Sequence, residues 1–272
     1  MGEFLKRALK GILPAEVLGK LGGYEVVGHV AILRLPEELS RWKEPIAAAL
    51  LKRGGIKTVV LWKGTEGRMR LPQVEVIAGE STETVHRENG CLFKLDVSKV
   101  LFCPGNLYER MRLPKLVKDG EVVVDMFAGV GQFTIPVAKH ANPSLVYSIE
   151  LNPVAYSYLC ENVRINRVGH RVRPLLGDCE RVAPRGVADR IILGLLHLSP
   201  LYLPLAIEVL KPEGGVIHYH ESVPCAVRFE RPVKRILEAA GGRKVEILGK
   251  RVVKSYSPGV DHVVIDASIG SN

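Results

Sequence analysis

The segment Val122-Val-Val-Asp-Met-Phe-Ala-Gly-Val-Gly131 carries an apolar stretch into an acidic residue and then into a Gly-x-Gly turn. Glycines at this spacing let the backbone come close to a ligand, and the start of the following helix adds N–H donors. Glu150 ends the next apolar stretch, where a carboxylate can accept both hydroxyls of a ribose. Asp178, in Leu176-Gly-Asp-Cys-Glu180, ends a third, where a side chain can meet an adenine amino group. Three acidic tips around Gly129 and Gly131 are far more specific than the turn alone, and together they describe a nucleoside site. A dinucleotide fold would need a third Gly or Ala, but Gln132-Phe133-Thr134 stands there and no GxGxxG is present. The competing reading of the carboxylates is that they cap helices.

These residues need a scaffold of strands that all end on one side. From Asp119 the chain alternates strands with helices. Strands are expected at Val122–Asp125, Leu145–Glu150, Val172–Leu176, Arg190–Leu193 and Val216–Tyr219, and helices at Phe133–Lys139, Pro153–Asn166, Tyr202–Leu210 and Val227–Ala240. Lys244–Tyr256 and Val260–Asp266 read as a closing antiparallel pair. The expectation is a mostly parallel open sheet finished by antiparallel strands. The first hundred residues differ in texture. Tyr24–Leu33 is a broken apolar run that Gly28 interrupts as a bulge or a hairpin turn would, and Pro36–Leu51 shows helical spacing (Leu39, Trp42, Ile46, Ala49, Leu50) stopped by Gly54-Gly55. Thr58–Trp62, Val74–Ala78, Thr84–Glu88 and Cys91–Asp96 read as short strands. The expected organisation is a small α+β domain over 1–110 and an α/β catalytic domain over 111–272, with the join in the Pro104–Asp119 connection.

Composition removes other classes. At 272 residues with 47% hydrophobic and 25% charged content, the chain is foldable and not disordered. No apolar run reaches the roughly 18–20 residues that span a bilayer, so no membrane association is expected. The N-terminal MGEFLKRALKGILP lacks the apolar core and cleavage site of a signal peptide, and a cytoplasmic location is expected. Cys91, Cys103, Cys160, Cys179 and Cys225 are odd in number and never spaced CxxC, which supports neither disulfides nor a metal. The net charge of +9 suits a polyanionic partner. It is spread over both halves, with 17 basic against 13 acidic residues up to Arg110 and 21 against 16 after it.

Asp125 in DxFxGxG resembles the class I S-adenosylmethionine-dependent Rossmann-like fold. The longer pattern is Leu101-Phe-Cys-Pro-Gly-Asn-Leu-Tyr-Glu-Arg110, then DMFAGVGQFTIPVAK, SIELNP, CENVRIN, HYH and VKSYSP. It resembles, in collinear order over roughly residues 20–270, the family of tRNA guanine-37 N1-methyltransferases and wybutosine-synthesising protein 2 enzymes. The methyltransferases' extra N-terminal domain is expected to be absent. After the fourth strand the methyltransferase branch carries Asn-Leu-Pro. Gly194-Leu-Leu-His197 stands here and is similar to the wybutosine branch.

That resemblance implies S-adenosylmethionine as cofactor and transfer of its 3-amino-3-carboxypropyl group to C7 of 4-demethylwyosine at position 37 of tRNA(Phe), with 5′-methylthioadenosine released. The expected partner is the anticodon loop, met by a monomer. The resemblance places Cys103 (a Ser in the family), Arg110, Asp125, Phe127, Gly129, Gly131, Glu150, Asp178 and, through its backbone, Cys179 at the cofactor. Arg110 is the expected clamp on the methionine carboxylate, near the mouth that faces the RNA, since a guanidinium grips a carboxylate bidentately. Glu109 matches the methyltransferases' proposed general base, and either it or His197 is expected to take the proton from the attacked carbon. Salt-bridge and plain-loop roles stay open for these two. His218 and His220 point to one side of a strand and read as packing rather than metal ligands. Arg228, Arg231, Lys234 and Arg235 are either phosphate contacts or a solvated helix face. Lys254, Tyr256, Pro258, Arg68 and Arg70 are candidate RNA contacts. Rival readings are a guanine-37 methyltransferase, a non-catalytic RNA-binding relative and a small-molecule methyltransferase.

Overall fold

The structure is a computed structural model that describes residues 2–271, in two compact units, Met1–Pro104 and Gly105–Asn272. The division falls before Glu109 and Arg110, which puts both in the second unit with the glycine turn.

In the first unit, α1 (Gly2–Ala8) and α2 (Ala15–Lys20) precede the hairpin of β1 (Tyr24–Val27) and β2 (Val30–Leu33). A 3-10 turn (Glu37–Trp42) and α3 (Lys43–Leu51) cross over to β3 (Thr58–Glu66), which lies parallel to β2. β4 (Leu71–Ala78) returns antiparallel, and β5 (Glu83–Glu88) with β6 (Cys91–Asp96) forms a separate hairpin. The helically spaced Leu39, Ile46, Ala49 and Leu50 are buried with Leu5, Leu9 and Val59 in this unit's core.

The second unit opens with α4 (Leu107–Arg112). It continues through β7 (Val122–Asp125), α5 (Thr134–His140), β8 (Leu145–Glu150), α6 (Pro153–Ile165), β9 (Val172–Leu176) and α7 (Cys179–Val182). β10 (Arg190–Leu193), α8 (Leu203–Val209), β11 (Gly215–Pro224), α9 (Glu230–Ala239), β12 (Val245–Ser257) and β13 (Val260–Ile269) complete it. The sheet order is β12-β13-β11-β10-β7-β8-β9. β11, β10, β7, β8 and β9 are mutually parallel, and β13 pairs antiparallel with β11 and β12. The chain enters mid-sheet at β7, winds outward to β9, and returns to β10 on the other side. The winding reverses between β7 and β10, and in open α/β sheets the carboxyl ends of the strands at such a reversal are where ligands bind.

The two faces of this sheet differ in chemistry. Register sets Val124, Ile191, Ile217 and Ala267 side by side on one face, packed with Leu203, Ala206, Val209 and Ile236 from α8 and α9. The other face carries Ser148, Asp125, Ile192, His218 and Asp266 in one row, nearly all polar. α5 reaches this face through Thr134 on Asp125, and α4 through Arg112 on Asp266. β11 runs past the expected end at Tyr219 to Pro224, because His220 and Glu221 find buried partners and need no solvent. Among the described residues, no helix is long and apolar enough to cross a membrane.

Candidate active site

Gly131 (φ +92°) seats the glycine turn. A Cβ there would stand 2.8 Å from Ile135 and 3.0 Å from Leu159. Gly129 (φ +57°) is different, for a Cβ there would have only Gln132 Nε2, at 3.8 Å, within reach. One glycine thus packs the turn onto α5 and α6, and the other faces open space. Asp125 is fully buried at the tip of β7. Its Oδ2 accepts from Thr134 Oγ1 at 2.8 Å, and Ser148 Oγ lies 2.9 Å from the same hydroxyl. Asp125 Oδ1 is buried and has no partner. Burial pushes this carboxyl up to about 6 against the help of Thr134, and the charge of Glu150 adds to the rise. Glu150 Oε2 accepts from the Gly129 N–H at 2.8 Å and Oε1 from the Asn152 N–H at 2.7 Å, while burial raises its pKa.

This arrangement fits an adenosyl group. It has a glycine cradle open to a ligand, an acidic tip fixed by two backbone donors, and a buried acceptor in Asp125 Oδ1 that lacks a donor. Each Glu150 oxygen keeps a second lone pair for a hydroxyl. Asp178 caps α7, accepting from the Glu180 N–H at 3.1 Å. Cys179 is buried and its thiol is pushed up to about 12 by burial beside Asp178 and Glu180, so a contact from it runs through the backbone. Phe127 lies edge-on to Tyr202, with ring centroids 5.0 Å apart.

Arg110 is 1% exposed, and its Nη1 donates to Gln132 Oε1 at 3.4 Å. The guanidinium therefore stands against the glycine turn, not at an open mouth. Glu109, one residue away, faces elsewhere. Its Oε2 accepts from Arg112 Nε at 2.9 Å and its Oε1 from Arg251 Nε at 2.6 Å. Cys103 is the penultimate residue of the first unit. His197 sits exposed in the loop after β10, its Nδ1 3.0 Å from Ser222 Oγ and its Nε2 2.9 Å from Tyr256 Oη. That loop starts beside the turn, since a Cβ on Gly194 would lie 3.2 Å from the Phe133 ring.

His218 lies between Asp266 and Arg190, and His220 Nδ1 is 2.9 Å from His262 Nε2. Burial lowers His220 to about 3 and His262 to about 2, so this pair is neutral. Of the cations in and just before α9, Arg231 and Arg235 both donate to the buried Glu221, Arg228 pairs with Asp261 at 2.6 Å, and Lys234 pairs with Glu238. The three arginines are thus internal partners of buried carboxylates. The Lys254 ammonium lies beside Gly105, where a Cβ would be 2.8 Å away, and Arg68 and Arg70 stand at the β3–β4 turn. No group of three or more His, Cys, Asp or Glu among the described residues has the arrangement to hold a metal ion.

Several partners escape a linear reading: Gln132, Thr134, Ser148, Arg112, Arg190, Arg251 and Asp266. Lone charges inside the apolar strands Arg190-Ile-Ile-Leu193 and Val263-Val-Ile-Asp266 are the signal that could have found two of them.

The pattern of the TRM5/TYW2 methyltransferase domain matches residues 84–248, and that of the TYW2 N-terminal domain matches residues 5–82. A tRNA(Phe) (4-demethylwyosine(37)-C(7)) aminocarboxypropyltransferase of Methanocaldococcus jannaschii is 44% identical over 247 residues, covering 90% of this chain and 96% of that one. The crystal structure of Pyrococcus horikoshii TYW2 in complex with MeSAdo superposes with a TM-score of 0.85 at 33% identity over the whole of both chains. The crystal structure of Trm5b from Pyrococcus abyssi superposes with a TM-score of 0.87 at 39% identity, over 95% of this chain and 78% of that one.

Proposed function

The chain belongs to the TRM5/TYW2 methyltransferase family, and from that premise we propose that it is a tRNA(Phe) (4-demethylwyosine(37)-C(7)) aminocarboxypropyltransferase. It uses S-adenosylmethionine and acts on tRNA. When bound, the cofactor supplies a sulfonium whose γ-carbon can be attacked, so that the 3-amino-3-carboxypropyl group moves and 5′-methylthioadenosine leaves. Everything the chain does is positioning and proton handling. Glu150 holds the ribose, Asp178 and the backbone of Cys179 meet the adenine, Phe127 lines the pocket, and the buried Oδ1 of Asp125 receives a donor of the cofactor. The carboxylate of the amino-acid arm is taken by Arg110.

The observation that carries this reading is the position of Arg110, fully buried and bonded to Gln132 in the glycine turn. A cation there would hold the carboxylate of the amino-acid arm, and transfer of that arm requires the γ-carbon, not the methyl group, to meet the base in line. Of the two proton acceptors, His197 fits better. Glu109 is buried, with both oxygens ion-paired to guanidinium groups that favour its charged form and hold it in place. His197 is exposed in the loop after β10 beside two hydroxyls, and the ring nitrogen that carries no hydrogen can take the proton from C7 once its hydroxyl partner turns away. The first unit is the tRNA-binding accessory domain, and the enzyme works as a cytoplasmic monomer on the anticodon loop around position 37. There the target base is splayed into the crevice, because a stacked base offers no in-line path.

The test is incubation with S-adenosylmethionine and tRNA(Phe) carrying 4-demethylwyosine, followed by mass spectrometry of the released nucleoside. Methylthioadenosine with an aminocarboxypropylated tRNA is expected. S-adenosylhomocysteine with a methylated tRNA would assign the chain to the methyltransferase branch.

A further inference from the structure

An unbroken run of polar side chains crosses the face of the sheet that faces α4. Glu121 receives Arg190 at both oxygens, at 2.7 and 3.0 Å. Arg190 Nη1 is 2.7 Å from His218 Nε2, and His218 Nδ1 is 2.6 Å from Asp266 Oδ1. A guanidinium can only donate, so His218 Nε2 accepts and Nδ1 carries the hydrogen given to Asp266. This orientation leaves the imidazole neutral, and burial holds its pKa below the ordinary value. Asp266 Oδ2 then accepts from Arg112 Nη1 at 2.5 Å, and Arg112 donates on to Glu109, which also receives Arg251.

The run ends on α4, a six-residue helix without a side-chain cap. Such a helix is too short to hold itself, so its placement comes from what its side chains grip. Glu109 and Arg112 are those grips, and Arg110 lies between them. We propose that Arg112, Asp266 and His218 are positioning residues for Arg110: they pin α4 to β11 and β13 so that the guanidinium meets the carboxylate of the cofactor's amino-acid arm. The proposal rests on the reading of Arg110 as that clamp. Its signature is selectivity, because the run governs only ligands that carry the arm. S-adenosylmethionine has the arm, and methylthioadenosine lacks it.

The experiment is calorimetric titration of the full chain with both ligands, together with transfer kinetics. His218→Leu is expected to fold, since Arg190 keeps Glu121, while Asp266 loses the hydrogen bond that fixes its carboxylate under Arg112. It should lower the affinity ratio of S-adenosylmethionine to methylthioadenosine about tenfold, with methylthioadenosine binding unchanged and kcat reduced. Arg112→Met should do the same. If it does not fold, Arg112→Lys, which keeps the charge but cannot bridge two carboxylates as a fork, carries the test. His218→Gln should restore the ratio, because an amide can offer its oxygen to Arg190 and its N–H to Asp266. Equal loss for both ligands would make the run purely structural and overturn the proposal, as would an unchanged ratio. Arg110→Met separates the two layers. If it lowers the ratio while the His218 and Arg112 variants do not, only the positioning inference fails; if it leaves the ratio intact, the clamp itself is refuted.

Discussion

Replacing each glycine of the turn by alanine should produce opposite phenotypes. Gly131→Ala places a methyl group 2.8 Å from Ile135 Cγ1 and 3.0 Å from Leu159 Cδ1, both in the core, at φ +92°. The left-handed backbone costs roughly 1–2 kcal/mol for a residue with a Cβ, and overpacking a core adds about 1–3 kcal/mol. The expected loss is about 2–5 kcal/mol. For a unit of this size that is a fall in Tm of about 2–4 °C per kcal/mol. Gly129→Ala pays the backbone cost alone, since only Gln132 Nε2 lies near the new methyl, at 3.8 Å. That methyl points into the open cradle, where it should weaken S-adenosylmethionine binding at least tenfold. Thermal unfolding without ligand and calorimetric titration of whichever variant remains folded at 25 °C read the two effects. Equal destabilisation by both substitutions, or undiminished cofactor affinity in Gly129→Ala, would refute the division of labour between the two glycines.

Further outcomes follow from the same geometry. Asp125 has its folded pKa raised to about 6, so the stability tied to it is complete below the ordinary carboxylate pKa and is lost as pH rises through about 6. Ligand-free wild type should therefore gain on the order of 2–3 kcal/mol relative to Asp125→Asn between pH 7 and pH 4, and denaturant midpoints that run parallel across this range would exclude it. Glu150→Ala should weaken S-adenosylmethionine and methylthioadenosine alike, by roughly 10–150-fold for a hydrogen bond to a charged acceptor; an effect on one ligand only would overturn the ribose assignment. His197→Ala should lower kcat about 100-fold or more with cofactor affinity unchanged, and wild-type turnover would return the proton to another acceptor.

Most of the parallel sheet is legible in the linear chain because each strand is a short apolar run closed by an acidic tip or a turn, as in Val122–Asp125 and Leu145–Glu150. The glycine turn and its carboxylates are equally plain, since their spacing is local and each neighbour is a strand tip. Residues whose roles depend on a distant partner are a different matter. Glu109 in isolation reads equally as a base or as half of a salt bridge, and only the fold brings Arg251 from β12 beside Arg112 to pair with it. α4 looks like a connection because six residues without a cap carry no periodic signal. Its helix exists through Asp266, 154 residues further on. The arginines in and just before α9 look ready for phosphate until the fold brings Glu221 and Asp261 under them. Local propensity and periodicity thus determine the elements, the cradle and the family pattern from the sequence alone. Which charges are buried, and against which partners, is decided by sheet order, since desolvation and ion pairing depend on distances in space that no spacing along the chain encodes.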